Sequence, residues 1–384
     1  MKLIIAGGGT GGHLFPGIAV YEKLKSIDKD IKVYFIGTQR GIENKIKDDY
    51  DFEFFTINVR GFSGKNFMNK LRALKALFGA AKDVSAIFRG TKPDYVLGLG
   101  GYISFMPLFI ARLSGIRSGV MEQNALPGLS NKILAFLGTT VFASFEETKK
   151  YLPVSGAIVT GNPVREKIFK SALALSESAE SAESAEKLEF LNKKDLSIFI
   201  SGGSQGASSL NNAVVSMLKS LDGEILRNLS IYHQTGERDL DAARSFYESE
   251  GGKIKKYEVF PFADNIENYY FNSDIVISRA GAGTLSELIL FRKPAILVPY
   301  PFAAKNHQEE NASLFSKKGC FYKLKDDKEL SKELLQTVNE IFYNRRLLKY
   351  MSDSLKTINI EDSALNIASI ILSEKINTKN KDKK

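Results

Sequence analysis

The same order of elements occurs in each half of the chain: an apolar strand, a glycine-rich loop and then a helix. In the first half, residues 3–6 precede Gly7-Gly8-Gly9-Thr10-Gly11-Gly12-His13, and in the second, residues 197–201 precede Gly202-Gly203-Ser204-Gln205-Gly206-Ala207. Parallel strands are joined by crossover connections, which are usually helices. The sequence therefore predicts an α/β fold with two Rossmann-like domains. We expect a central cleft facing the carboxyl ends of both sheets.

Short apolar runs between stretches of helical periodicity extend both predicted sheets. The predicted strands of the first half are 3–6, 32–37, 52–57, 94–99 and 141–143, and those of the second are 197–201, 230–233, 257–260, 274–278 and 295–298. A length of 384 residues suits two domains.

Turn residues and low-complexity segments predict the limits of these domains. The turn Gly161-Asn162-Pro163 separates a domain of residues 1–161 from one of residues 162–350. A helix at about 360–374 is expected to pack back on the first domain, and the basic tail 375–384 is expected to be disordered. Residues 176–187, where Ser-Ala-Glu recurs, are interpreted as a loop or a solvated acidic helix without chemistry.

Composition limits the cellular environment and the kinds of binding partner that we expect. Cys320 is the one cysteine, which excludes an intramolecular disulfide and fits a reducing cytoplasm. The first apolar run ends at Gly7, so it is better explained as a strand than as a signal peptide. The net charge of +9 indicates an anionic partner, or only a surface kept charged for solubility. No nucleic-acid recognition motif is present, so we expect no nucleic-acid partner.

The first glycine loop is suited to binding a diphosphate. Its glycines let a ligand approach the backbone, and the following helix, predicted to begin near Pro16, offers N–H groups and a favourable dipole. The loop also fits the dinucleotide fingerprint. However, Gly37-Thr38-Gln39-Arg40 lacks the acid that would hold a ribose, although Arg40 leaves room for a 2′-phosphate. No P-loop motif is present.

A third glycine loop, Ser278-Arg279-Ala280-Gly281-Ala282-Gly283-Thr284, leads into Leu285-Ser286-Glu287. Glu287 is predicted in the first helical turn, where its carboxylate could accept hydrogen bonds from two ribose hydroxyls. The alternative is that Glu287 only complements the helix dipole. Three such loops in one chain favour the ribose role.

The three histidines receive different interpretations. His13, at the mouth of the first glycine loop, is the candidate general base, the alternative being that it binds phosphate or caps the loop. His307 is interpreted as a donor-site contact and His233 as structural. Two Asp-x-Asp strings, at 49–51 and 239–241, are expected to lie away from the glycine loops, so we predict no metal and no cofactor.

A cationic segment from Arg60 to Lys92 combines basic residues with apolar residues at helical spacing. The basic residues are Arg60, Lys65, Lys70, Arg72, Lys75, Lys82, Arg89 and Lys92, and the apolar ones are Phe67, Leu71, Leu74 and Phe78. Such a segment suits an anionic membrane surface. The alternative is an ordinary helix that buries its apolar residues in its own core.

Six motifs and two short pairs occur in order along residues 7–312. They are 7–17 (GGGTGGHLFPG), 98–107 (GLGGYISFMP), 122–132 (EQNALPGLSNK), 160–165 (TGNPVR), 202–207 (GGSQGA) and 279–287 (RAGAGTLSE), with His307-Gln308 and Asn311-Ala312. Together they resemble the bacterial N-acetylglucosaminyltransferases of peptidoglycan synthesis. The resemblance implies the GT-B fold and inverting transfer of N-acetylglucosamine from its UDP conjugate. The implied acceptor is the C4 hydroxyl of the muramyl pentapeptide in undecaprenyl-diphosphate-linked lipid I, and the product is lipid II.

The resemblance also implies site residues, position by position. Implied donor-binding residues are Thr10, Gly11, Gly12, Asn124, Arg165, Ser204, Ala263, Ala282, Gly283, Thr284, Leu285, Ser286, Glu287, His307 and Gln308. Implied acceptor-binding residues are Gly9, Gly100, Gly101 and Tyr102. Ala263 departs from the family pattern, which often has a larger aliphatic residue there.

A lipid-linked acceptor implies a peripheral enzyme on an anionic membrane surface, at the cytoplasmic face of the inner membrane. It also favours the membrane interpretation of the segment from Arg60 to Lys92. Three alternatives stay open: a GT-B transferase with another lipid acceptor, a UDP-sugar epimerase, and a nucleotide-sensing module without turnover.

Overall fold

The computed structural model describes residues 1–39, 43, 49–58, 67–153, 156–181 and 194–381. Side chains are described for all of these apart from 67–77, 175–181 and 375–381. The chain forms two compact units. The first comprises Met1–Glu166 together with Glu361–Lys384, and the second comprises Lys167–Ile360. The division thus falls a few residues after the turn at Gly161.

The first unit is built on a seven-stranded sheet whose described pairings are all parallel. Its strands are β1 Lys2–Ala6, β2 Lys32–Gly37, β3 Glu53–Thr56, β4 Tyr95–Gly98, β5 Arg117–Glu122, β6 Thr140–Ala143 and β7 Ala157–Val159. They lie in the order β3-β2-β1-β4-β5-β6-β7. Alternate residues of β1 belong to opposite cores, with Ile5 on one face and Ile4 on the other, because side chains alternate along a strand.

Helices cover both faces of this sheet. They are Gly11–Ile27, Phe67–Thr91, Phe105–Leu113, Leu129–Phe136 and Ser363–Lys381, with a 3₁₀ helix at Glu146–Tyr151. Helix Ser363–Lys381 packs on helix Gly11–Ile27, and its Ile367 and Ile371 share a core with Ile18. This helix runs into the range 375–384 that was predicted to be disordered, and residues 382–384 lie outside the described part of the chain.

The second unit contains a six-stranded parallel sheet. Its strands are β8 Leu196–Ser201, β9 Leu229–Gln234, β10 Lys256–Phe260, β11 Ile275–Ser278, β12 Ala295–Leu297 and β13 Phe321–Lys323, in the order β10-β9-β8-β11-β12-β13. Its helices are Glu166–Ser181, Ser208–Ser220, Gly223–Arg227, Leu240–Glu250, Ile266–Asn272, Ala282–Leu290, His307–Ser316, Leu330–Tyr343 and Arg346–Lys356. The 3₁₀ helices are Glu237–Asp239, Gly251–Lys253 and Ala304–Asn306. The sheets confirm the predicted α/β fold with two Rossmann-like domains.

All ten predicted strands are present, and three more were missed: β5, β7 and β13. The last two are only three residues long, too short for an alternating pattern. β5 begins Arg117-Ser118-Gly119, which lacks the β-branched residues typical of strands. Gly119 is required there because a Cβ would lie 2.5 Å from the Phe142 ring.

Two segments singled out from the sequence lie partly outside the described residues. Helix Glu166–Ser181 covers the start of the Ser-Ala-Glu segment, and residues 182–193 are not described. Of the cationic segment, residues 60–66 and the side chains of 67–77 are not described, whereas Phe78 is 71% exposed. In the part of the chain that the structure describes, no helix is both long and apolar enough to cross a bilayer.

Candidate functional site

Each sheet brings glycine loops to the point where its strand order reverses. In the first unit the reversal lies between β1 and β4, whose ends lead into Gly7–Thr10 and Leu99–Tyr102. In the second it lies between β8 and β11, which lead into the loops at 202–207 and 279–281. Ligands of open α/β sheets bind at such switch points, outside the carboxyl ends of the strands.

His13 lies in the first turn of helix Gly11–Ile27, close to the loop after β4. The prediction that this helix begins near Pro16 is wrong, because helical structure starts at Gly11 and Pro16 lies inside it. The His13 Nδ1 atom is 2.9 Å from Gln123 Oε1. A Cβ built on Gly101 would lie 3.6 Å from His13 Nε2. The structure therefore brings His13 together with Gly100 and Gly101.

A buried glutamate that the sequence analysis missed supports the first glycine loop. Glu43 is 1% exposed and accepts hydrogen bonds from Gly9 N at 2.8 Å and from Thr38 N at 2.9 Å. It thereby links the loop to the end of β2. Gly9, Thr10 and Gly12 are exposed, so the outer surface of the loop is accessible to a ligand.

Asn124 is held by a second buried carboxylate, that of Glu122. Glu122 accepts hydrogen bonds from Asn124 N at 3.0 Å, Gly128 N at 2.9 Å and Asn131 Nδ2 at 2.8 Å. Thr148 Oγ1 donates to the Asn124 carbonyl at 3.2 Å. Glu122 opens the motif 122–132 but was not among the predicted site residues, and its strand, β5, was not predicted either.

Two more residues implied by the resemblance lie near this loop cluster. Tyr102 is 48% exposed, and the Ser104 hydroxyl beside it donates to Gly100 O at 2.7 Å. The Arg165 guanidinium lies 4.9 Å from the centre of the Phe15 ring, on the helix that carries His13. Both residues belong to the first unit.

In the second unit, the loop after β8 packs backbone to backbone against the loop after β9. A Cβ at Gly206 would lie 2.0 Å from Thr235 O, and the φ of Gly206 is +73°. Gln234 Nε2 donates to Gly203 O at 2.9 Å. Ser204 is exposed at the tip of the loop.

Replacing Gly206 with alanine is expected to destabilise the second unit by more than about 1–3 kcal/mol, the range for backbone strain alone. The new methyl group would meet backbone atoms, which must move. Gly203→Ala is the matched control, since its φ is also positive (+88°) but its Cβ would meet nothing within 4 Å. Urea unfolding of both variants measures the difference, and equal destabilisation would contradict the proposed close contact.

The third glycine loop leads into helix Ala282–Leu290, whose N-cap is Gly281. Ala282, Gly283 and Thr284 form the first turn, with no acidic residue in it. The prediction that Glu287 lies in the first turn is therefore wrong. It lies in the second turn, where the helix dipole stabilises a carboxylate much less. Tyr270 OH donates to Glu287 Oε2 at 2.9 Å and fixes the carboxylate instead.

Neighbouring positions of this helix differ in what they can offer a ligand. The Leu285 side chain is fully buried, so only its backbone could contact one. The Ser286 hydroxyl donates to Ala282 O at 2.9 Å.

A buried ion pair between Arg279 and Asp326 supports the third glycine loop. Arg279 Nη2 lies 2.8 Å from Asp326 Oδ2, and both side chains are less than a tenth exposed. The same guanidinium donates from Nη1 to Val298 O at 3.0 Å and from Nη2 to Ser209 Oγ at 2.7 Å. Arg279 therefore joins the loops after β11 and β12 to the helix that follows the second glycine loop.

The remaining donor residues implied by the resemblance lie after β12 and β10. Gln308 Oε1 accepts from Tyr300 N at 2.9 Å, which orients its amide. His307 Nδ1 lies 2.8 Å from Ala304 O. Ala263 is 5% exposed in the turn after β10, so its methyl group is buried.

His233 is fully buried in the second unit, in a network behind the second glycine loop. Its Nδ1 lies 3.1 Å from Tyr247 OH and its Nε2 lies 3.1 Å from Asn211 Oδ1. Asn211 Nδ2 and Ser208 Oγ both donate to Asp239. The expectation that Asp239 lies away from the glycine loops is wrong, since Ser208 directly follows Ala207.

Acidification is expected to destabilise the second unit through His233, because burial lowers the pKa of its imidazole to about 4. An unfolded histidine binds a proton near pH 6.5, so stability is complete above that pH and is lost as pH falls towards 4. The loss should approach about 3 kcal/mol. Urea unfolding at several pH values measures it. His233→Gln, which does not titrate, should remove this component, and an unchanged pH dependence would contradict the assignment.

Among the described residues, no group of three or more His, Cys, Asp and Glu side chains could hold a metal ion.

Comparison with models of known protein families identifies the family of the chain. The model of the glycosyltransferase family 28 N-terminal domain matches residues 3–143, and that of the C-terminal domain matches residues 197–367. This chain belongs to glycosyltransferase family 28. The two matched ranges include most of the loops described above, with Asn124 in the first range and Ser204, Glu287 and Gln308 in the second.

Two curated family members extend the similarity over most of the chain. A protein of Geobacter metallireducens is 37% identical over 100% of both chains, and one of Geotalea uraniireducens is 40% identical over 87% of both. Each is named UDP-N-acetylglucosamine–N-acetylmuramyl-(pentapeptide) pyrophosphoryl-undecaprenol N-acetylglucosamine transferase.

Solved structures agree on the fold. MurG of Acinetobacter baumannii, 26% identical, aligns with a TM-score of 0.76 over 97% of this chain and 99% of its own. This match confirms the GT-B prediction. The UDP-GlcNAc 2-epimerase of Neisseria meningitidis aligns with a TM-score of 0.63 over 98% of this chain and 100% of its own, but at 15% identity that similarity concerns the fold alone.

Proposed function

We propose that this chain transfers N-acetylglucosamine from UDP-N-acetylglucosamine to the C4 hydroxyl of the muramyl pentapeptide in undecaprenyl-diphosphate-linked lipid I. The product is lipid II, a precursor of peptidoglycan. The observation that carries the proposal is the full-length match, at 37% identity, to a relative named for this reaction. The positions of the glycine loops at both switch points support it.

The second unit supplies groups suited to holding UDP. The helix N-termini at Ser208 and Ala282 present backbone N–H groups to a diphosphate, and the loop tip at Ser204 is exposed. We assign the Glu287 carboxylate, to which Tyr270 OH donates a hydrogen bond, as the acceptor of hydrogen bonds from the ribose hydroxyls. Charge that develops on the departing UDP is stabilised by such preorganised donors.

The first unit supplies the base and the acceptor contacts. We assign His13 as the group that takes the proton of the acceptor hydroxyl, with Gly9, Gly100, Gly101 and Tyr102 around the acceptor diphosphate. The hydroxyl oxygen forms a bond to the anomeric carbon while the bond from that carbon to the phosphate oxygen breaks. Its electron pair leaves with UDP. Attack opposite the leaving group inverts the anomeric configuration.

Release of UDP in the presence of EDTA tests this proposal against its alternatives. We expect release that depends on a lipid I analogue and continues in EDTA, because backbone donors replace a metal in this mechanism. A diacylglycerol in place of lipid I serves as the competing acceptor. Release without any acceptor, or with diacylglycerol alone, would contradict the proposed acceptor. The absence of any turnover would favour a nucleotide-sensing module.

An exposed apolar surface of the first unit suits a membrane-bound acceptor. Helices Phe67–Thr91, Phe105–Leu113 and Leu129–Phe136 pack side by side on one face of the sheet. Where side chains are described, the exposed large apolar residues of these helices are Phe78, Leu113, Leu129, Ile133 and Phe136. Lys82, Arg112 and Lys132 belong to the same helices. We propose that this surface rests on anionic lipid at the cytoplasmic face of the inner membrane.

Binding to anionic phospholipid vesicles tests this surface. The double variant Leu129→Ser/Phe136→Ser is expected to bind several-fold more weakly, because two side chains that are 61% and 83% exposed lose their apolar contact with lipid. The control is Phe271→Ser, which removes a 59% exposed phenyl group from the second unit. Equal loss in both variants, or none in either, would contradict the assignment.

A further inference from the structure

Gln123 connects the candidate base to the backbone of the neighbouring strand. It follows β5 directly, and its side chain is 2% exposed. Its Nε2 atom donates to Leu99 O at 2.9 Å, and its Oε1 atom lies 2.9 Å from His13 Nδ1. Both ends of the amide are therefore engaged, one by the loop after β4 and the other by the imidazole.

These two contacts determine which ring nitrogen of His13 carries the proton. A backbone carbonyl can only accept a hydrogen bond, so the NH₂ group of Gln123 must face Leu99 O. The amide oxygen then faces Nδ1, and an amide oxygen can also only accept. Nδ1 must be the donor, so the neutral ring has its proton on Nδ1 and a lone pair on Nε2.

We propose that Gln123 is a positioning residue that holds neutral His13 as the Nδ1–H tautomer and so presents Nε2 as the proton acceptor. The inference rests on the proposed transferase function and deepens it. In the reaction, the acceptor hydroxyl gives its proton to Nε2 as its oxygen bonds to the anomeric carbon, and the electron pair of the broken bond leaves with UDP. Nδ1–H keeps its hydrogen bond to Gln123 throughout.

Gly100 is required for this contact. A Cβ there would lie 3.2 Å from Gln123 Oε1, 3.3 Å from His13 Nδ1 and 2.9 Å from Met121 O. Its φ of +87° also lies in the left-handed region. Gly100 thus leaves room for the hydrogen bond between His13 and Gln123.

The chain contains an internal reference with the opposite tautomer. Asn211 Nδ2 donates to Thr235 O at 2.9 Å, so its Oδ1 faces His233 Nε2 and accepts from it. Tyr247 OH then donates to His233 Nδ1. His233 is therefore the Nε2–H tautomer. His307 has Nδ1 beside the Ala304 carbonyl, which requires the Nδ1–H tautomer, as in His13.

Nitrogen NMR of the full chain labelled with ¹⁵N-histidine tests the proposal without substrate. Only three histidines are present, and His233→Gln and His307→Gln assign their signals. At alkaline pH, where a free imidazole is neutral, we expect His13 to show the Nδ1–H pattern and His233 the Nε2–H pattern. A wild-type His13 with the Nε2–H pattern would overturn the proposal, whatever the variants do.

Two substitutions of Gln123 separate positioning from packing. Gln123→Met keeps the length but removes the acceptor, so His13 should change to the Nε2–H form that free neutral histidine favours. Its kcat should fall by roughly 10- to 100-fold, by analogy with the loss of the hydrogen-bond partner that orients a metal-ligating histidine, with little change in donor KM. Gln123→Glu keeps an acceptor beside Nδ1 and should retain the proton on Nδ1, although its carboxylate loses the hydrogen bond that Gln123 Nε2 donates to Leu99 O. A loss of kcat in Gln123→Met with the tautomer unchanged would contradict the proposal.

The outcomes also distinguish this proposal from the proposed function. A wild-type Nδ1–H signal together with undiminished transfer in His13→Ala would reject His13 as the base and, with it, the catalytic meaning of Gln123. The Nε2–H pattern at His13 of the wild type, together with acceptor-dependent transfer, would reject the role of Gln123. The proposed transferase function would be unaffected.

Discussion

Replacing His13 with alanine is expected to lower kcat by about 10²- to 10⁴-fold, the usual contribution of a general base. The side chain lies at the switch point of the first sheet, beside Gly100 and Gly101, and is held by Gln123. The methyl group of alanine cannot take the acceptor proton. Steady-state kinetics with saturating lipid I analogue measures the effect, and donor binding to the free variant shows that the site is intact.

His307→Ala is the matched control for this experiment. His307 is the half-buried histidine at the start of helix His307–Ser316 in the second unit, and it contacts Ala304 O. Its loss is expected to raise donor KM and to affect kcat less than the loss of His13. If His13→Ala kept a kcat within a few-fold of wild type, another residue would have to be the base.

Replacing Arg279 with leucine is expected to lower the free energy of unfolding of the second unit by about 3–5 kcal/mol. The substitution leaves the carboxylate of Asp326, which is 9% exposed, without its ionic partner. Carbonyl oxygens that Arg279 contacts, such as Val298 O, lose their donor. Urea unfolding monitored by tyrosine fluorescence measures the change, since the chain contains 15 tyrosines and no tryptophan.

Two controls show whether the loss comes from the unpaired buried charge. Lys149→Leu breaks an exposed pair with Glu146 and should cost less than about 1 kcal/mol. The double variant Arg279→Leu/Asp326→Leu removes both charges and should recover much of the stability lost in Arg279→Leu. A double variant as unstable as the sum of both single variants would contradict this explanation.

The repeated pattern of strand, glycine loop and helix predicted that both sheets exist, together with ten of their thirteen described strands. Buried parallel strands are continuous apolar runs, so β1, β2 and β8 stand out in the sequence. β5 does not, because its first half, Arg117-Ser118-Gly119, contains no strand-forming residue, although it pairs with both β4 and β6.

The glycine loops and His13 could also be located from the sequence, because local chemistry requires those residues. The residues that support them could not. Glu43 reaches Gly9 from 34 positions away, and Gln123 reaches His13 from 110 positions away. No local pattern records such contacts, which exist only once the sheet has brought distant loops together. The error at Glu287 has a local cause: the N-cap lies at Gly281, one turn earlier than the prediction requires.

The most direct test of the proposed function is the identity of the product. Purified protein is incubated with UDP-N-acetylglucosamine and a lipid I analogue, and the lipid fraction is examined by mass spectrometry and proton NMR. We predict an acceptor heavier by one N-acetylhexosamine unit, joined to the muramyl C4 oxygen with inverted anomeric configuration. An unmodified lipid, a retained configuration or a free epimerised sugar nucleotide would contradict the proposed reaction.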